Sequence, residues 1–175
     1  MSLTIRPATL GDIPTITRVY AQAVAQGTAS FEYLPPDEAE MTRRMQALLA
    51  RGLPYFVAEL DGTVAGYAYA GPYHGRPGYR FTLEDSIYIA PDSQRRGIGG
   101  MLLTALIETA EAKGFRQMVS VIGDSDNVGS IALHAAHGFQ YVGTLKNVGF
   151  KFGRWLDSVL MQRPLGPGAS AVPED

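Results

Sequence analysis

The chain has 175 residues, enough for one domain with a sizeable core, and its 46% hydrophobic and 18% charged content is that of a globular protein. Its 15 basic and 17 acidic side chains leave a net charge of −2, which excludes a global pull toward nucleic acid or a membrane surface. The absence of cysteine excludes disulfides, thiolate metal sites and a cysteine nucleophile, while His74, His134 and His137 show no metal-ligand spacing, so no metal is expected.

The first segment, SLTIR, reads as a short strand. Thr9 can cap a helix running to about Gln26, with Leu10, Ile13, Ile16, Val19, Tyr20 and Ala23 at helical spacing and Pro14 in its tolerant first turns. The loop GTASFEYLPP follows, then a second helix over residues 37–51 whose core stripe is Met41, Met45, Leu48 and Leu49. YFVAEL and TVAGYAYA flank Asp61-Gly62, a hairpin signal that sets the two strands antiparallel. GPYHGRPGYR is a glycine- and proline-rich loop, and FTLEDSIYIA the strand after it.

DSQRRGIGG then leads into MLLTALIETAEAKG, a helix ending at the C′ glycine Gly114. RQMVSVIG reads as a buried strand, DNVGSIALHAAHG as a short helix capped by Asp126 or Asn127, and FQYVGTL and GRWLDSVLMQ as closing strands. One domain over residues 1–165 is expected, with residues 166–175 a disordered tail. No apolar run nears the ~18 residues of a membrane span, so a cytoplasmic protein is the expectation. The order of elements gives an α/β chain with a largely antiparallel sheet.

A glycine-rich turn between a strand and a helix N-terminus exposes backbone N–H groups at the positive end of the helix dipole, which suits a phosphate. Arg95 and Arg96 add cations at its rim, and Gly97 and Gly99 let the backbone approach phosphate oxygens. Leu102 stands where a dinucleotide fingerprint needs its third glycine, and the Gly-Lys-Ser/Thr of a Walker A loop is absent.

What remains, QRRGIG, resembles the pyrophosphate loop of the GNAT acetyltransferase superfamily, written Q/R-x-x-G-x-G/A. Downstream, NVGSIALHAAHGF resembles that superfamily's N-x-x-A/S-x-x-L-Y-x-x-x-G-F helix, and the likeness extends over residues 4–162. RPGYRFTLEDSIYI and VGFKFGRWLD further resemble one branch, the phosphinothricin and methionine sulfoximine acetyltransferases. The resemblance implies the GNAT fold, a mixed, mostly antiparallel sheet of six to seven strands flanked by about four helices. It also implies acetyl-CoA as cosubstrate, a small amino acid as acceptor, direct transfer in a ternary complex, and a homodimer. Gln94, Arg95, Arg96, Gly97, Ile98, Gly99 and Gly100 would then cradle the diphosphate, while Asn127 and Ser130 face the pantetheine. The backbone of Tyr88 and Ile89 would polarise the thioester where the strand splays from its neighbour.

Such a transfer needs an unprotonated amine, a polarised carbonyl, a stabilised thiolate and aligned reactants. The resemblance puts Glu84 at the position that takes the amine proton; alternatively Glu84 pairs with Arg76 or Arg80, or binds the substrate ammonium. Asp85 alternates to the opposite face of an ideal strand and is expected to be solvated or structural. His134 stands where the superfamily often has a tyrosine acid, and either donates a proton or only contacts CoA or water. His137 is expected to be structural. Arg76 and Arg80 can fork onto a carboxylate, or onto a phosphinate or sulfoximine head. Phe31, Tyr33 and Tyr79 are expected to wall the pocket, with Tyr73 and Lys151. Two other functions stay open at this point: acetylation of a protein N-terminus or lysine, and acyl-CoA binding without turnover.

Overall fold

A computed structural model of the chain describes residues 2–173. Period-two alternation over its strands buries side chains on two faces, and the elements pack accordingly. Seven strands, β1 (Leu3–Pro7), β2 (Tyr55–Leu60), β3 (Thr63–Pro72), β4 (Thr82–Ile89), β5 (Gln117–Gly123), β6 (Gln140–Lys151) and β7 (Arg154–Pro164), form one sheet. Their order is β1-β2-β3-β4-β5-β7-β6, and only β4 and β5 run parallel. Four helices flank it: α1 (Ile13–Gln26), α2 (Glu38–Leu49), α3 (Ile98–Ala112) and α4 (Val128–Ala136). This is the mixed, mostly antiparallel sheet with four helices that the sequence led us to expect.

One core lies under α1 and α2, where Ile16, Val24, Met41 and Met45 pack on Tyr55, Tyr67, Tyr69 and Tyr88. The other lies under α3, where Leu102, Leu103 and Leu106 meet Ala58, Ala68, Leu83 and Met118. Small residues on β2 and β3 admit α3 closely, whereas the opposite face stacks tyrosines.

Several local signals act as expected. Asp61 and Gly62 both take positive φ, 50° and 81°, as a two-residue hairpin turn requires. The Asp37 carboxylate accepts the Glu40 N–H at 2.9 Å and caps α2. Leu49, expected in the α2 core stripe, is 39% exposed, because Met41, Met45 and Leu48 complete the buried face. Thr9 opens a 3-10 turn, Leu10–Asp12, before α1 rather than the α-helix itself. The strand β6 extends well past FQYVGTL, pairing with β7 as far as Lys151↔Arg154. Within residues 166–175, expected to be a disordered tail, Gly168–Ser170 form a 3-10 turn with Gly168 buried, and Glu174 and Asp175 lie outside the described residues.

Candidate active site

The strand β4 pairs with β3 along its whole length but with β5 only at Thr82↔Gln117, Leu83↔Met118 and Glu84↔Val119. Beyond Glu84 the two strands separate. Tyr73 N–H donates to the Thr82 carbonyl at 3.3 Å and Ala90 N–H to the Ala65 carbonyl at 2.9 Å. With antiparallel alternation between those ends, the N–H of Tyr88 points at β3, while those of Ile87 and Ile89 point into the gap. Of the two donors expected there, Ile89 faces the opening and Tyr88 is turned into the ladder. Ile87 was missed in the sequence, although period two from Ile89 would have found it.

At the far end of β4 the chain turns into α3. Arg95 and Gly97 take left-handed φ of 59° and 78°. Gly97 is the N-cap and offers no side chain to α3, so the N–H groups of Ile98, Gly99 and Gly100 are left for a guest. A Cβ on Gly97 would meet nothing within 4 Å, whereas one on Gly99 would sit 3.2 Å from Leu133 and one on Gly100 3.4 Å from His137. The latter two glycines thus also serve the packing of α3 on α4. Gln94, Arg95 and Arg96 are exposed around this turn, and the Ile98 side chain is buried in the core.

Glu84 is half-buried on the α1–α2 face. Burial, and then the neighbouring Asp85, push its carboxyl above the ordinary value. Among the described residues Glu84 has no salt-bridge partner. A cavity of about 280 Å³ lies on the same face, lined by Tyr20, Met41, Arg44, Leu48, Tyr55 and Tyr69 among others. Leu48, one of its lining residues, lies over Gly71, the β3 partner of Glu84. Arg44, which binds Glu32 and Glu40 at 2.8 Å each, is the cationic wall of this cavity together with Arg43. Sequence reading passed over it, though its place three residues after Met41 puts it at the edge of the buried stripe.

Arg76, Tyr79 and Arg80 lie instead on an exposed turn directly ahead of β4, with Arg80 stacked over Phe81 at 4.5 Å and Tyr73, His74 and Tyr79 in edge contact. Phe31 packs where a Cβ on Gly149 would be, and the Tyr33 hydroxyl donates to the Phe150 carbonyl. Lys151 is not a pocket wall. Its buried ammonium donates to the carbonyls of Val24, Gly27 and Ser30 at 2.7, 2.9 and 2.8 Å, tying the α1–α2 loop to β6.

His134 is 3% exposed on the opposite face, with Nδ1 2.7 Å from the Ser130 carbonyl and Nε2 2.9 Å from Asp85 Oδ2 and 3.0 Å from Ser120 Oγ. A carbonyl only accepts, so Nδ1 donates; a carboxylate opposite Nε2 then calls for a second ring proton. Burial alone would lower its pKa, but the hydrogen bond and charge of Asp85 prevail and raise it. Each nitrogen is already committed, which differs from the free proton donor that one reading of the sequence foresaw. Asn127 caps α4, its Oδ1 3.3 Å from the Ser130 N–H. His137 is structural, as expected, with Nδ1 bonded to the Leu133 carbonyl at 2.8 Å.

The model of the acetyltransferase (GNAT) family matches residues 20–139. The phosphinothricin N-acetyltransferase of Alcaligenes faecalis is 54% identical over 171 residues, covering 98% of this chain and 87% of that protein. The L-methionine sulfoximine/L-methionine sulfone acetyltransferase of Pseudomonas aeruginosa is 41% identical over 172 residues, covering 98% and 99%. Among solved structures, a phosphinothricin acetyltransferase from Sinorhizobium meliloti in complex with AcCoA superposes with a TM-score of 0.97 at 46% identity, covering 100% of this chain and 95% of that one.

Proposed function

We propose that this chain, which belongs to the acetyltransferase (GNAT) family, acetylates the α-amine of a small amino acid analogue such as phosphinothricin, methionine sulfoximine or methionine sulfone. It is an acyltransferase that uses acetyl-CoA. The observation that carries the substrate reading is the half-buried Glu84 at the parting of β4 from β5, on the sheet face that also holds a cavity sized for an amino acid side chain.

The residues present fit the cosubstrate. Unclaimed N–H groups at the start of α3, the left-handed Gly97 with open space before it, and the exposed Gln94, Arg95 and Arg96 suit a diphosphate. Ile89 and Ile87 would present N–H groups along the gap to the pantetheine and thioester, and Asn127 and Ser130 border it from α4. Bound acetyl-CoA supplies an acyl group activated as a thioester.

Glu84 takes the ammonium proton, for which its raised pKa suits it. Phe31 and Tyr33 wall the acceptor site from the α1–α2 loop. Arg76 and Arg80, with Tyr79 beside them, receive the carboxylate from the turn ahead of β4. Without cysteine in the chain, the acyl group has no thiol of the enzyme to rest on, which favours direct transfer in a ternary complex. The compartment that serves such an enzyme is the cytoplasm, where acetyl-CoA is at hand; among the described residues no helix is long and apolar enough to cross a membrane.

A homodimer is part of the same proposal. The edge strand β6 and its partner β7 expose Tyr141, Val142, Val148, Phe150 and Trp155, each at least 46% accessible. A long apolar sheet edge is a liability unless covered, and a second copy of the chain covers it.

Thiol release from acetyl-CoA, followed with dithiobis(nitrobenzoate) across a panel, tests the activity. Release with methionine sulfone or phosphinothricin is expected. Release with peptides alone would overturn the substrate class, and CoA binding without release would overturn turnover.

A further inference from the structure

The last β4–β5 pair is Glu84↔Val119, so Asp85 and Ser120 are the residues that would pair next. Both side chains instead reach His134 Nε2, Asp85 Oδ2 at 2.9 Å and Ser120 Oγ at 3.0 Å. The imidazole is anchored from behind by its Nδ1 on the Ser130 carbonyl, at 2.7 Å, so α4 carries it into the fork. Its edge contact with Phe139, centroids 5.0 Å apart, fixes the ring plane. At 4% and 2% side-chain exposure, His134 and Asp85 are shut away from solvent.

As a source of stability the group is poor. A buried ion pair rarely outperforms an apolar replacement, and Asp85 Oδ1 is buried without any partner. What the group does have is position. It stands where the parallel ladder stops, the imidazole lying between the side chains of Asp85 on β4 and Ser120 on β5 on the α4 side of the sheet.

We propose that Asp85, His134 and Ser120 form a wedge that holds β4 and β5 apart, and that Asp85 and Ser120 are positioning residues which set the Ile87 and Ile89 N–H groups at the reacting thioester. The inference rests on the acetyl-transfer reading above. It makes the His134 ring a spacer with both nitrogens occupied, in place of a donor to the departing sulfur. Glu84 is the last residue before the fork, so the wedge also fixes the distance between the base and those donors.

The test uses Asp85→Ala, Asp85→Asn and Ser120→Ala in the full chain, each measured per folded molecule. For Asp85→Ala, kcat with methionine sulfone should fall by about tenfold or more, as misplaced carbonyl donors cost that much or more, with Asp85→Asn between it and wild type. The dissociation constant of CoA by calorimetry and KM for the amino acid should both stay within about twofold, since the α3 turn and the Glu84 side chain are unaltered, and kcat is compared on the pH plateau because losing the Asp85 charge lowers the Glu84 carboxyl pKa. A second readout needs no coenzyme: nitrogen NMR of the free enzyme should show both His134 ring nitrogens protonated at neutral pH in wild type, and one only in Asp85→Ala. Should Asp85→Ala not fold, Ser120→Ala removes the β5 tie alone and should lower kcat with the same unchanged binding. An unchanged kcat in these variants, or equal losses in kcat, CoA affinity and amino acid KM, would overturn the wedge. A wild-type enzyme that releases no thiol with any amino acid would instead overturn the activity on which it rests.

Discussion

Glu84, the proposed base, and Gly97, in the proposed phosphate turn, are where single substitutions test the reading most directly. A base works only when unprotonated, and Glu84 sits above its ordinary pKa through burial and the adjacent Asp85. The acid limb of kcat/KM should therefore rise with pH through a value above the usual carboxylate range. Glu84→Gln should flatten that limb and lower kcat by about a hundredfold, read from thiol release between pH 5 and 9. Gly97 lies at φ 78°, so Gly97→Ala puts a Cβ into a left-handed residue at a cost of about 1 kcal/mol in urea unfolding. Its Cβ also enters the open space ahead of α3, so CoA affinity by calorimetry should fall beyond what that strain explains. Gly97 was singled out from the glycine turn ahead of a helix, and Glu84 from the resemblance to the acetyltransferases. Arg44 was not: its spacing from Met41 marks the edge of the α2 stripe, but the cavity beside it is formed by β2 and β3 residues distant in sequence.

The α1–α2 loop is held from three sides, and that is where elements rather than residues decide function. Lys151 on β6 donates to three carbonyls of the α1 end and loop, the Tyr33 hydroxyl reaches the Phe150 carbonyl, and Thr28 Oγ1 donates to Asp124 at 3.1 Å. Lys151→Met should remove the first tie and leave three carbonyls facing an apolar side chain, costing about 3 kcal/mol of folding stability. Because Phe31 and Tyr33 ride on that loop, KM for the amino acid should rise severalfold while CoA affinity is unchanged. Steady-state kinetics with both substrates, beside urea unfolding, separate these effects. Chain order, helix positions and the Asp61-Gly62 hairpin could be read from periodicity and turn residues, which are local. The role of Lys151 could not, since its partners lie more than 120 residues away in sequence. The length of β6 escaped for a related reason: Asn147 sits at φ 55° in a bulge between Leu145 and Gly149, beyond which pairing with β7 resumes.

At the scale of the whole molecule, pH acts through ion pairs of opposite sign. Asp12 is held at about 2 by its hydrogen bonds from Arg6, so its contribution is present above the unfolded value and is lost as pH falls toward 2. His134 is raised, so its contribution is present below 6.5 and is lost as pH rises through its folded value. Urea midpoints should accordingly fall at both ends, and Asp85→Asn should remove the alkaline fall alone. Association adds a further dependence. Phe150 and Trp155, 5.1 Å apart, stand exposed at the β6–β7 tip, beside the Gly149 and Lys151 that fasten β6 to the α1–α2 loop. If two copies meet there, Trp155→Asp should place a charge in the contact and give a monomer by sedimentation at micromolar concentration. The melting temperature of wild type should climb with protein concentration and that of the variant should not. In the monomer the β6–β7 tip loses its cover, so the loop it holds loosens and KM for the amino acid rises, while the α3 turn and its CoA affinity are untouched. A wild-type chain that sediments as a monomer at the same concentration would break this link, and the exposed aromatics would then need another partner.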